Sequence, residues 1–488
     1  MKNITLKLVA LALLVSISLS FVACGKKEAK LSTEVYEGDV IYVGNTAATT
    51  GGGATIGVPF NLGIEAAFAA YNAAGGFGGK TVALKHYDDE ADSTKSLTLM
   101  EKLVHEDEIF AVVGNYGTYA VASNLSLLKE NCVPMVYAAA GNNILFNSNA
   151  TSDSDRSIFP VQPLNHTEGQ ILVLRAFAPA FDAQGNSLGG LGATKVGVIS
   201  NSDEASQAML AGIKAEAEAS SLTNIIYHNV TTDDYSAAAS ALQAAGCDVV
   251  IITVVGDPFV SALTALANVN YNKTVLTSYN NANAAVFNDK DSKMTEVGLN
   301  IFSKMVIFAQ AWLDISSTDY FFSNKNTGLY NAYKFLGMIQ KDKDGNEIGV
   351  GGFTEEYWSV AQNIYNYAAS LNDDKINPLN MSYNSYALAG YIAGDLFCQA
   401  LEEMESKGMD LTRANLVSVL ESKKFKVAMA DEISYQNGLR AGVESFSLTM
   451  FFDTAALPEG ATSYHCASST TVHPLMSISD YRALIKNK

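Results

Sequence analysis

From Asp39 onward, short runs of β-branched and apolar residues alternate with stretches whose apolar positions recur every three or four residues. "VIYVGNTAA" predicts a strand. In the following "NLGIEAAFAAYNAAGG", Ile64, Phe68 and Tyr71 share one helical face until Gly75-Gly76 stops it. "KTVALKHYDDE" predicts a second strand, and "STKSLTLMEKLVHED" a helix with Leu97, Met100 and Val104 inward. "FAVVGN", "YAVASNLSLLKEN" and "VPMVYAAA" continue as strand, helix and strand. After a passage containing Pro and Asp the rhythm restarts, with strands at "TKVGVIS", "NIIYHNV", "DVVIITVV" and "TVLTSYN". Helices at "EASQAMLAGIKAEAEAS", "DYSAAASALQAAG" and "PFVSALTALANVN" separate them. Repeated strand–helix–strand predicts an α/β protein whose parallel sheets are covered on both faces. Two comparable units result, Asp39–Gln162 and Pro163–Lys304.

The regularity fades between Met305 and Asn380. "YFFSNKNTGLYNAYKF" is dense in aromatics, which are expected to pack against one another rather than to cage a ligand. "KDKDGNEIGV" predicts a hairpin turn, and "EEYWSVAQNIYNYAASL" a long helix.

Ahead of these units stands a different pattern. Lys2 and Lys7 precede an apolar or small-residue run from Leu8 to Ala23, short of the ~20 residues a membrane-crossing helix needs. A basic start, a short apolar core and a small residue before the break describe a secretory signal. A buried first helix would want caps and an amphipathic stripe, and this run has neither. The stretch Gly25 to Gly38 is mostly polar and charged, which predicts a flexible tether.

Bulk composition narrows the partners. A chain of 488 residues that is 48% hydrophobic and 17% charged is expected to fold into two or three globular domains. Its net charge of -18 argues against nucleic acid and against attraction to anionic lipid. Beyond Cys24, the cysteines Cys132, Cys247, Cys398 and Cys466 are widely spaced, so neither a zinc site nor a dense disulfide framework is indicated.

Catalytic and metal motifs fail on context. "GNSLG" fits the GxSxG expression, but Ser187 sits in a loop composition, not between a strand and a helix. "TTGGGATIG" lacks the lysine of a phosphate loop and the spacing of a dinucleotide fingerprint. A calcium loop centred on Gly345 would begin at Gln340 and end at Gly351, where Asp and Glu are required. "YDDEAD" is expected to be a solvated loop leading into a helix N-terminus. The six histidines are scattered. No catalytic residue, metal or cofactor is indicated, and the chain does not read as an enzyme.

Several motifs carry a resemblance. Phe21-Val22-Ala23-Cys24-Gly25 resembles the bacterial lipobox, with Phe21 where Leu is usual. That implies cleavage before Cys24, its acylation, and attachment to the outer face of the cell membrane. "GIEAAFAAYNAAGGFGGKTVALKHYDDEAD", "KLVHEDEIFAVVGN" with "KENCVPMVYAAA", "DDYSAAASALQAAGCDVVIITV" and "NSYALAGYIAGDLF" resemble, in order, the type I periplasmic binding proteins. The likeness is to the leucine/isoleucine/valine-binding branch that serves ABC importers.

That resemblance implies two Rossmann-like lobes joined by three crossings, near Gln162-Pro163, Lys304-Met305 and Phe425. Residues 1–23 would be the signal and 24–38 the tether. Lobe one would comprise 39–162 and 305–425, and lobe two 163–304 and 426–488. The implied ligand is small and polar, an amino acid or similar, delivered to ABC permease subunits; a sensory receptor without transport is the alternative. Among site residues, Thr118 matches the family's Ser for the ligand carboxylate. Ala139 aligns where a backbone carbonyl takes the ammonium, and Gly141 stands where the family has Thr. In lobe two, Ala205 replaces an aromatic, Tyr279 replaces a Glu, and Asn165 stands near the family's Asp. The segment Met305–Asn380 exceeds its counterpart in length and is expected to reshape one rim of the cleft.

Overall fold

The computed structural model describes residues 29–486, apart from 138, 292, 336–338 and 457–464. The signal over 1–23 and the lipidated Cys24 lie outside the described residues. No helix among the described residues is long and apolar enough to cross a membrane.

Strands β1 (Val40–Ala47), β2 (Thr81–Asp88), β3 (Ala111–Val113), β4 (Met135–Val136) and β5 (Ile158–Phe159) form an all-parallel sheet ordered β2-β1-β3-β4-β5. Ile41 and Val43 of β1 and all three residues of β3 are fully buried, as expected where helices cover both faces. The helix Ala54–Ala73 buries Ile64, Phe68 and Tyr71 and packs closely on the helix Ser385–Ser406. Glycines make that approach possible: a Cβ on Gly63 would lie 2.0 Å from the Ala387 carbonyl oxygen, and one on Gly390 1.9 Å from that of Phe60.

The second sheet runs β17-β16-β10-β9-β8-β6-β7. Strands β6 (Val196–Ser200), β7 (Ile225–Asn229), β8 (Val249–Ile252), β9 (Thr274–Thr277) and β10 (Val306–Ala311) are parallel. Strands β16 (Ser445–Asp453) and β17 (Ala467–Ser477) extend one edge antiparallel. The helices Asn165–Phe177 and Glu204–Ala219 repeat the glycine device. Cβ atoms on Gly169 and Gly212 would stand 2.1 Å and 2.0 Å from the carbonyl oxygens of Met209 and His166. Two sheets, each covered by helices, make the two-lobed α/β architecture expected from the sequence.

Three boundaries differ from the sequence reading. The polar stretch before Gly38 is not a free tether from residue 31 onward. Leu31 is buried, the Tyr36 amide donates to the Leu411 carbonyl at 2.8 Å, and the Tyr36 ring meets Phe110 edge-on at 5.6 Å. Two apolar anchors in a polar run are enough to dock it on lobe one. The chain does not leave the second sheet at Lys304-Met305, because β10 pairs with β9 and carries it to Ala311. Nor does it return near Phe425. Strands β14 (Lys424–Lys426) and β15 (Glu432–Ser434) form a hairpin whose Phe425 and Ile433 are buried in the core of the first lobe. The return comes after buried Arg440, which bonds to the carbonyls of Tyr435 and Arg156 at 3.3 and 2.9 Å.

The longer segment after β10 is a small antiparallel sheet, β11 (Ser316–Phe322), β13 (Glu347–Phe353) and β12 (Gln340–Lys341) in that order, against the helix Glu355–Ser370. Its aromatics pack on one another. Trp358 is 1% exposed, stacked on Phe322 at 4.9 Å and edge-on to Tyr333 at 5.1 Å. The "KDKDGNE" segment is a turn whose Asp342 carboxylate accepts the amides of Asp344 and Asn346. Ser187 lies in a loop. All four described cysteines are free, and no cluster of described His, Cys, Asp or Glu could hold a metal ion.

Candidate functional site

A cavity of about 700 Å³ opens between the lobes at the carboxyl ends of both sheets. Lobe one contributes Phe60, Tyr116, Tyr137 and Ala139, with Ser385, Tyr386 and Ala389 along the rim. The second lobe contributes Tyr279, Asn280, Ala282, Asn283 and Val286, and Gln162, Ala311, Trp312 and Leu313 sit where the chain passes between lobes. From the segment Met305–Asn380, Ala311, Trp312 and Leu313 reach the wall, and the described residues of 316–380 do not.

On the first lobe, loops after β1, β3 and β4 are sewn together. The Asn115 carboxamide oxygen accepts from the Thr46 amide at 3.2 Å and from its hydroxyl at 3.1 Å. The Ala139 amide donates to the Asn115 carbonyl at 2.9 Å, and the Gly117 amide donates to the Ala139 carbonyl at 3.3 Å. The Thr46 hydroxyl also meets Ser96, which accepts from Asn124 at 3.1 Å. Gly114 and Gly117, with φ of +68° and +97°, let the chain turn between β3 and the next helix.

Tyr137 directly follows β4 with φ +59°, a conformation that disfavours a bulky side chain and clusters at functional sites. Its ring packs 6.2 Å from Phe60, and its buried hydroxyl has no protein partner. Burial pushes that phenol well above its ordinary pKa, so it remains a protonated donor.

The second lobe uses a different anchor. Glu168, on the helix Asn165–Phe177, has no exposed surface. Its carboxylate accepts from the Ser278 hydroxyl at 2.9 Å and from the Tyr279 amide at 2.8 Å. Burial raises its pKa to about 7, against the lowering effect of those two bonds. Asn281 completes the loop, donating to the Val254 carbonyl at 2.9 Å and accepting from the Gly256 amide at 3.2 Å. Half-buried Tyr279 lies 6.1 Å from the Phe446 ring, and its phenol pKa is raised by burial with help from Glu168 and Tyr137.

Two-walled clefts of this kind direct attention to known solute receptors. The periplasmic binding protein family profile matches residues 40–293. The chain belongs to the periplasmic binding protein family. Over 148 residues it is 29% identical to "Leu/Ile/Val-binding protein homolog 2" of Brucella abortus, a match covering 28% of this chain. The chain spans 40% of the length of that curated relative. An ABC transporter substrate-binding protein from Sphaerobacter thermophilus shares the fold at TM-score 0.58 and 15% identity, covering 90% of this chain and 98% of that one. A leucine-binding protein from Thermotoga maritima gives 0.53 at 13% identity, covering 90% and 99%. A fatty acid ABC transporter substrate-binding protein from Thermomonospora curvata gives 0.54 at 15%, covering 96% and 97%.

Of the residues named from sequence, the periplasmic binding chain places Ala139 and Tyr279 on opposite walls of the cavity. Thr118 is the exposed first residue of the helix Thr118–Glu130, whose cap is Gly117 without a side-chain bond, and it lies off the wall. Gly141 and Asn165 meet each other instead: the Asn165 amide donates to the Gly141 carbonyl at 3.0 Å. A Cβ on Gly141 would lie 2.8 Å from the Asn165 carboxamide oxygen. Ala205 is half-buried on the helix Glu204–Ala219, also off the wall. In the "YDDEAD" loop, Asp92 caps the helix Ser93–His105 as expected. Asp89 is buried, not solvated, and accepts from the Tyr119 hydroxyl at 2.9 Å.

The sequence reading passed over Tyr137, Glu168 and Trp312. A Tyr closing the apolar run "VPMVY" and a Trp directly after "VIFAQA" were signals for two of them. Glu168 had no local signal, because its partners lie 110 residues away.

Proposed function

We propose that this chain is an extracytoplasmic solute-binding protein that closes two lobes on a small molecule and delivers it to an ABC importer. The observation that carries the reading is the cavity itself, walled by both sheets at their carboxyl ends. The hinge comprises the segments around Gln162, Ala311 to Ser316, and Arg440 to Ser445. Lobe one is accordingly residues 39–162 and 312–440, and lobe two 163–311 and 441–486. Ala139 and Tyr279 are the proposed ligand contacts carried over from the family, one from each lobe. Contact with both lobes biases the hinge toward closure.

Anchoring through acylated Cys24 belongs to the same reading. Cys24→Ser is expected to release the protein from membranes or leave its signal uncleaved; correct cleavage with full retention would refute the anchor. For binding, a thermal-shift screen of small solutes is expected to yield a hit. Saturation at 100 times the dissociation constant stabilises the native state by about 2.7 kcal/mol. Small-angle scattering with that hit is expected to show a smaller radius of gyration. An unchanged radius at saturation counts against lobe closure.

A further inference from the structure

Resting on the binding role above, we propose that the cleft takes a solute without an ammonium group, an aromatic or branched apolar body ending in a hydrogen-bond acceptor. Among the described residues, none on its wall is charged. An ammonium brought there would lose water and find no carboxylate, which penalises it heavily. The carboxylate that reaches this loop from behind, Glu168, has both oxygens engaged and no exposed surface. The Ala139 carbonyl, which the family offers to an amine, already accepts the Gly117 amide.

What the wall does offer is rings and a free donor. Tyr116 and Tyr279 present aromatic surface from the two lobes, backed by the buried rings of Phe60, Tyr137 and Trp312, suited to a flat or branched apolar body. The Tyr137 hydroxyl is fully buried and unpartnered, so an acceptor on the ligand would satisfy it. Gln162, Asn280 and Asn283 add neutral amides.

Matched pairs differing only in the amine test this by calorimetry at pH 7.5: 3-phenylpropionate against phenylalanine, and 4-methylpentanoate against leucine. The neutral 3-phenylpropionamide and choline complete the set. At least one deaminated compound is expected to bind ten- to a hundredfold more tightly than its amino acid, the range expected from a lost charge-assisted bond. Equal or tighter binding of both amino acids overturns the ligand class, as does tighter binding of choline or binding of no probe. Ala139→Trp, with Ala389→Trp on the rim of the same lobe as a second blocking variant, separates the two levels. If amino acids bind and both variants abolish that binding, the receptor role stands and the ligand class falls. If a probe binds both folded variants unchanged, it sits elsewhere and both readings fall.

Discussion

The two walls of the cleft are held by opposite chemistry. In lobe one the loops that carry Tyr116 and Ala139 hang on a neutral lattice of Thr46, Asn115, Ser96 and Asn124. In lobe two the loop that carries Tyr279 hangs on one buried carboxylate, Glu168, helped by Asn281. Beneath both lies the same scaffold, a helix pair brought into backbone contact by glycines. Shared packing with different loop anchors means that the lobes should resemble each other under steric insult and diverge under a change of pH.

The largest effects should come where the lobes are alike. Gly390→Ala places a methyl 1.9 Å from the Phe60 carbonyl oxygen, and Gly212→Ala places one 2.0 Å from that of His166. Backbone cannot yield as a flexible side chain can, so each is expected to lose at least about 3 kcal/mol in urea unfolding. Gly390→Ala should also shift Phe60 and with it the cleft. A loss confined to one of the two variants would break the symmetry argued for the helix pairs.

Acidity should then separate the lobes. Folding raises Glu168 from 4.5 to about 7, so the native state binds this proton more readily than the unfolded chain. Its contribution is most favourable below about pH 4.5 and is lost as pH rises through 7, a change of roughly 3 kcal/mol. Glu168→Gln should flatten that slope while keeping the loop, since an amide can accept from the Tyr279 amide and donate to the Ser278 oxygen. In lobe one the titrating neighbour is His86, against Asn45 and Thr49, and burial lowers its pKa below 6.5. Stability from His86 is present above pH 6.5 and lost as pH falls, the opposite direction. Stability against pH for wild type, Glu168→Gln and His86→Gln measures both; parallel curves for all three would remove the contrast.

Neutral anchors should be worth less and be equal across the lobes. Asn115→Ala strands the buried Thr46 amide, and Asn281→Ala removes the side-chain donor from the buried Val254 carbonyl. About 2 kcal/mol is expected from each, read by denaturant midpoint at unchanged slope.

Much of this contrast was beyond the reach of sequence. Strands β1 to β4 and β6 to β9 were legible, the inner ones because parallel strands buried on both faces read as continuous apolar runs, whereas the two-residue β5 was not. Strands β16 and β17 were not, since "SFSLTMFFD" and "ASSTTVHPLMS" carry Ser and Thr throughout. Leu31 and Tyr36 were lost in a polar stretch because two residues make no periodicity. Ala139 and Tyr279 were reached only through family resemblance, and they lie on the wall. Thr118 was named the same way and is exposed at the first position of its helix, off the wall. Glu168 depends on a contact that only the folded chain creates.

The smallest and sharpest comparison sets Tyr137 against Tyr279, two phenols facing one cavity. The Tyr137 hydroxyl is buried without a protein partner, so Tyr137→Phe removes an unsatisfied group and should leave stability unchanged or slightly higher. The same substitution deprives a bound solute of its donor, and affinity for the best screening hit should fall by about five- to tenfold. Tyr279 is half-buried and lies near Asn280, so its hydroxyl keeps company whether or not a solute is present. Tyr279→Phe should therefore change affinity by less than about threefold, while Tyr279→Ala, which removes the ring, should cost more than either. Calorimetry on the three folded variants decides between them. Should Tyr137→Phe bind the solute as tightly as wild type, the strained tyrosine of lobe one would be a packing residue, and the donor must be sought among Gln162, Asn280 and Asn283.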